Sequence, residues 1–171
     1  MVVLGTVYSP YPEAWFFHGL ECTGVIGGGC SNHLDNDTCL SSVVGGQDNH
    51  IEKSCYSFIG GGKDNCIKET TIANQYNTIV GGLGHVTRDT CNPDVAPFYS
   101  FIGGGQENTS SACYTFIGAG CKNFARANAS IVVGGIQNTA STTAVCSFMG
   151  GGCGNCISGI SSIIVGGIVI I

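Results

Sequence analysis

The chain has 171 residues, a net charge of −5, only 10% charged residues and 28 glycines. So little charge with so much apolar content excludes a disordered polar tail, and so much glycine excludes a helical protein, because each interior glycine costs a helix about 1 kcal/mol. Glycine does not recur at every third residue and proline is scarce, which excludes collagen; six scattered Lys and Arg form no basic stripe, which argues against a nucleic-acid partner.

In chain order, residues 1–21 come first as a non-repeating segment holding Tyr8, Pro10, Tyr11, Pro12, Trp15, Phe16, Phe17 and His18. A solenoid leaves core and backbone open at its end, so this segment is expected to cap or attach the repeat domain that follows. The apolar stretch Met1–Gly5 is short and lacks a preceding basic residue, unlike a signal peptide. Ile163–Ile171 is apolar but well under the roughly 20 residues that span a bilayer, so no membrane insertion is expected.

From residue 22 to 171 one phrase recurs nine times: two apolar residues and a two- or three-residue glycine-rich turn, followed in seven copies by Asn three positions past the last turn glycine. The last turn glycines are Gly29, Gly46, Gly62, Gly82, Gly105, Gly120, Gly135, Gly152 and Gly167, at spacings of 15 to 23 residues. A period near 16 is too short for helix-pair repeats and suits a coil of two short strands and two turns. The predicted fold is therefore all-β, a parallel β-solenoid of about nine coils, stacking to about 43 Å at ~4.8 Å per coil. Three- and two-residue turns alternate for most of the length, which makes a pair of coils the larger unit.

Each repeat position has a physical task. The glycines provide tight corners, and Asn32, Asn49, Asn65, Asn108, Asn123, Asn138 and Asn155 are read as a structural ladder, each amide bonding nearby backbone or the Asn one coil away. An inner row is expected two residues past the Asn, at Leu34, Ile51, Ile67, Thr87, Ser110, Ala125, Ala140 and Ile157. Before the glycines stand Ile26, Val44, Ile59, Val80, Ile102, Ile117, Val133, Met149 and Val165, and one residue earlier Val25, Val43, Phe58, Ile79, Phe101, Phe116, Val132, Phe148 and Ile164. Neighbours on a strand face opposite sides, so one of these rows must point outward, and a stripe including Phe58, Phe101, Phe116 and Phe148 predicts burial against other copies, as a homotrimer.

The phrase S-F-I-G-G-G-x-x-N, at Ser57–Asn65 and Ser100–Asn108, resembles the head repeats of trimeric autotransporter adhesins, and more closely the Gly-Gly-x-x-Asn repeats of phage and large-DNA-virus fibres. The resemblance covers about 150 residues. It implies a trimeric, tightly wound β-roll on a virion or cell surface that presents a face to a host receptor or glycan. The period is longer than in adhesin heads, and the 11 Cys are far more than in either relative.

Two coils are long. Lys68–Gln75 and Val86–Pro97 are expected to bulge as loops, and the second, with Arg88, Asp89 and Asp94, is a candidate receptor surface. No catalytic constellation is legible and no cofactor is expected. Cys153 and Cys156 form a lone CxxC, Gly60–Lys63 resembles a phosphate loop without its Ser or Thr, and His18, His33, His50 and His85 are read as sharing no register. The sequons at Asn36, Asn108 and Asn128 are those expected by chance in such a composition. The odd cysteine count leaves at least one thiol free or paired between chains. The alternatives are an ice-binding solenoid, for which no Thr-dominated row is found, and a tailspike-like enzyme, for which no carboxylate pair is found. A hexapeptide acyltransferase is disfavoured because the period is not a multiple of six.

Overall fold

The computed structural model describes residues 24–35, 38–88 and 98–168, with the side chains of residues 70–75 and 98 left aside. Every strand pairing in it is parallel, and no helix occurs among the described residues. The chain winds as a parallel β-solenoid of about seven turns.

Two walls enclose the core. One stacks β1 (Val25–Ile26), β3 (Ser42–Val43), β5 (Phe58–Ile59), the end of β6 (Cys66–Ile79), β8 (Phe98–Ile102), β10 (Thr115–Ile117), β12 (Ile131–Val132), β14 (Phe148–Met149) and β16 (Ile163–Ile164). The other stacks β2 (His33–Leu34), β4 (His50–Cys55), the start of β6, β7 (Val86–Arg88), β9 (Thr109–Ser110), β11 (Phe124–Ala125), β13 (Thr139–Ala140) and β15 (Cys156–Ile157). We call these the first and second walls.

Position relative to the last turn glycine decides which way a side chain points. Three residues before it, Ile26, Val43, Ile59, Ile79, Ile102, Ile117, Val132 and Met149 are buried. Five residues after it, the predicted inner row from Leu34 to Ile157 is buried throughout, and the two rows face one another in a single core. A third inner row, five residues before the glycine, is polar: Ser41, Ser57, Asn77, Ser100, Thr115, Ser130 and Ser147. Its members bond up the stack, as in Ser57 N–H to Ser41 Oγ at 3.0 Å and Ser100 Oγ to Asn77 Oδ1 at 2.6 Å.

This register corrects one expectation. Val44, Val80, Val133 and Val165 are exposed, whereas Val43, Ile79 and Val132 are the buried members of those coils. The coil is phased by its last glycine, so a two-glycine turn places valine where a three-glycine turn has its first glycine. The outward row four residues before the last glycine therefore reads Val25, Ser42, Phe58, Thr78, Phe101, Phe116, Ile131, Phe148 and Ile163. It holds all four phenylalanines but is broken by Ser42 and Thr78.

The turns are held by the predicted ladder. Gly46 sits at φ 93°, and a Cβ there would lie 2.2 Å from the carbonyl oxygen of Gly62 in the next coil, so no larger residue fits. Asn49 Nδ2 donates to Gly45 O at 3.1 Å within its turn and to Gly62 O at 3.0 Å in the next, while its Oδ1 accepts the Asn65 backbone N–H at 3.2 Å. The pattern repeats at Asn32, Asn65, Asn108, Asn123, Asn138 and Asn155, all buried, so the sequon at Asn108 is committed to the ladder. In the coil after Gly82 the slot is taken by His85, whose N–H donates to Asn65 Oδ1 at 3.0 Å and whose Nδ1 accepts the Asn108 N–H at 3.1 Å.

The expected loop at Lys68–Gln75 is instead continuous strand. β6 runs Cys66–Ile79 and joins the walls. Its pairing with β4 jumps from Glu52–Lys68 to Ser54–Ala73, so the added residues are absorbed as an irregularity in extended backbone rich in β-branched Thr70, Thr71 and Ile72. Arg88 ends β7, and Asp89 and Asp94 lie outside the described residues, as does the segment 1–21.

Candidate functional site: an aromatic face and a polar face

With the inner rows committed to the core, chemistry belongs to the outward rows, and the two walls differ sharply. On the first wall the outward positions lie six, four and two residues before the last glycine. The first of these rows carries Tyr56, Tyr76, Tyr99 and Tyr114 in four consecutive coils. Their rings stack at centroid separations of 5.1, 4.9 and 5.6 Å. Sequence reasoning missed this ladder, although its signal is plain: tyrosine six residues before the last glycine, four times running. Tyr56 and Tyr114 take left-handed backbone, at φ 57° and 58°, a conformation costly for a bulky residue and tolerated here at a corner tied into the stack. Tyr56, for example, donates its backbone N–H to Cys39 O at 2.8 Å.

Beside the tyrosines run the phenylalanines. Phe101 and Phe116 are register partners with rings stacked at 5.2 Å and an interplanar angle of 5°. Phe58, Phe116 and Phe148 remain 36–38% exposed, so neighbouring coils cover only part of each residue. Exposed Val44, Val80 and Val133 flank this row. Tyrosine, phenylalanine and valine rows thus form one apolar surface along the coils.

The second wall is polar outside. Four residues after the last glycine stand His33, His50, Cys66, Val86, Thr109, Phe124, Thr139 and Cys156; two further on stand Asp35, Glu52, Lys68, Arg88, Ser111, Arg126, Ser141 and Ser158. His33 and His50 are therefore register partners, contrary to the expectation that the histidines share no register. Charge is segregated along this row. Asp35 and Glu52 lead, and Glu52 accepts Lys68 Nζ at 2.7 Å, a bond that raises the Lys68 ammonium above its ordinary value. Burial pushes the Cys66 thiol up. Arg88 and Arg126 follow, flanking Ser111 across a groove of about 450 Å³ that Thr109, Phe124 and Thr142 also line. The Arg126 guanidinium lies 4.6 Å over the Phe124 ring, which holds it in place.

Cysteines are spread over both walls and the turns. Cys39 and Cys113 are disulfide-bonded, whereas Cys153 and Cys156 of the CxxC are free thiols. Cys30, Cys121 and Cys153 share a turn row bridged through Gln47, Lys63, Leu83, Gln106 and Ile136, in separate coils as expected. Neither the family models nor the curated proteins compared with this chain match it.

Proposed function

We propose that this chain is a non-catalytic fibre or adhesin-head module that assembles through its aromatic wall and presents its polar wall to a host-surface receptor or glycan. The observation that carries the reading is the aromatic face itself. Four tyrosines stack at the strand spacing beside an interrupted row that carries four phenylalanines, and the partner that matches this arrangement is another copy of the same ladder. Exposed apolar surface of this extent is otherwise a liability, and burial of rings between copies removes it. The homotrimer is the arrangement that the resemblance to fibre and adhesin repeats implies.

The polar wall supplies the presented surface. Two arginines around a groove with a hydroxyl-bearing floor suit a carboxylate- or sulfate-bearing sugar, since guanidinium binds such groups in bidentate fashion. Disulfide-bonded Cys39 and Cys113 favour a virion surface or extracellular location, where disulfides persist. The test is sedimentation equilibrium of the full chain, followed by binding to surfaces bearing sialylated or sulfated glycans. Discrete three-chain particles that lose glycan binding, but not mass, on Arg88→Ala/Arg126→Ala support the reading. A monomer, or glycan binding indifferent to both arginines, contradicts it.

A further inference from the structure

The three side chains His33, Asp35 and His50 meet on the outer surface of the second wall, near one end of the described solenoid. His33 and His50 are paired residues of β2 and β4, one coil apart, and Asp35 lies two residues beyond His33 on the same outward side. The wall fixes all three backbones: His33 N–H donates to Asn49 O at 2.8 Å, Asp35 N–H to Ile51 O at 3.0 Å, and His50 N–H to Asn65 O at 2.9 Å. The imidazoles sit 4.9 Å apart with planes at 68°, and both Nε2 atoms approach the one carboxylate. His33 Nε2 is 2.5 Å from Asp35 Oδ1 and His50 Nε2 is 3.5 Å from Asp35 Oδ2. His50 Nε2 makes no hydrogen bond although the atom itself is shielded from solvent.

We propose that His33, His50 and Asp35 bind one divalent transition-metal ion of the zinc class, through the two Nε2 atoms and a carboxylate oxygen. A tetrahedral ion with ligands at about 2.1 Å needs its ligand atoms about 3.4 Å apart. The three ligand atoms already lie within 4.8 Å of one another, with His33 Nε2 2.5 Å from Asp35 Oδ1 and His50 Nε2 3.5 Å from Oδ2, so small side-chain shifts reach the required spacing. Two imidazoles with one carboxylate are a borderline donor set that suits zinc, cobalt or nickel over calcium or magnesium. The nearest carboxylate alternative is engaged, since Glu52 is held by Lys68. The site is half-exposed, so water completes the coordination, and the ion clasps two adjacent coils across their outer surface.

The inference stands apart from the fibre reading, since a metal clasp needs neither a trimer nor a receptor. Its test is titration of the full chain with zinc and with cobalt(II) under reducing conditions, compared with His33→Gln/His50→Gln, Asp35→Asn and Cys66→Ser. The expected result is one equivalent lost in the double histidine variant. Affinity should weaken at least about tenfold in Asp35→Asn and stay unchanged in Cys66→Ser, and this equivalent should give a cobalt spectrum free of thiolate charge-transfer absorption. Equal binding by wild type and the histidine variant, or cobalt bound only with thiolate absorption, overturns it. Should the double variant fail to fold, paramagnetic broadening of the His33 and His50 ring protons by cobalt in the wild-type chain decides the matter. Broadening confined to those rings supports the site, and unaffected rings refute it.

Discussion

The two walls share an inner pattern and differ in everything that faces out. Inside, both stack aliphatic or small residues at one position per coil, Ile59, Ile79 and Ile102 on the first and Leu34, Ile51 and Ile67 on the second. Outside, the first is mostly tyrosine, phenylalanine and aliphatic residues, broken by Ser42 and Thr78, and the second is mostly histidine, charged and hydroxyl residues, interrupted by Val86, Phe124 and cysteines. Coil geometry dictates the inner rows, because each side chain meets its equivalents above and below at the strand spacing. The outer rows carry no such constraint, and the proposed contacts of the chain with other molecules rest on their divergence.

The contrast can be broken first from within. Ile102→Ala empties a fully buried site and should lower unfolding free energy by about 2–5 kcal/mol, read from the midpoint of urea denaturation. Asn123→Leu removes the amide that bonds Ala119 O, Gly135 O and the Asn138 N–H. Leaving such buried groups unsatisfied costs about 1–3 kcal/mol each, so this variant should approach the isoleucine effect. A loss below the error of the measurement would remove the ladder from the account of stability.

His85 sharpens the comparison between ladder positions. Burial holds its imidazole below the ordinary value, and Nδ1 must stay unprotonated to accept from Asn108. Above about pH 6.5 the group is neutral whether folded or unfolded and contributes no pH dependence. As pH falls below that value the unfolded chain takes up a proton that the folded chain resists, so stability drops. His85→Asn should flatten this acid limb in melts between pH 7.5 and 5 (roughly the span over which histidine titrates). An unchanged slope would assign the acid sensitivity elsewhere.

On the outer surface the effects on folding shrink while those on assembly grow. Phe101→Ser/Phe116→Ser removes only half-exposed rings from one wall and should change chain stability by less than the core variants do. Its effect should appear in the proposed self-association, read as solution mass.

Much of this was legible beforehand, for physical reasons that particular residues make plain. Asn49 and Gly46 announce their roles because a ladder tolerates almost nothing else at those positions. The row from Leu34 to Ile157 was readable by counting from the asparagine, because the strand period past that fixed point is two. Val44 and Val80 fall in the wrong row when positions are counted from the first glycine, because the coil is phased by the last. The insertion around Thr70 looked like a loop in length alone, but its β-branched residues keep it extended in β6. The tyrosine ladder and the His33–His50 pair were present in the register and became visible only once all coils were aligned on one glycine.

The central claim is that the aromatic wall is where copies meet, and the solution mass of the full chain under reducing conditions tests it most directly. Light scattering should give three chain masses for the wild type and one for Phe101→Ser/Phe116→Ser. A wild-type monomer, or a variant that keeps the wild-type mass, would contradict it.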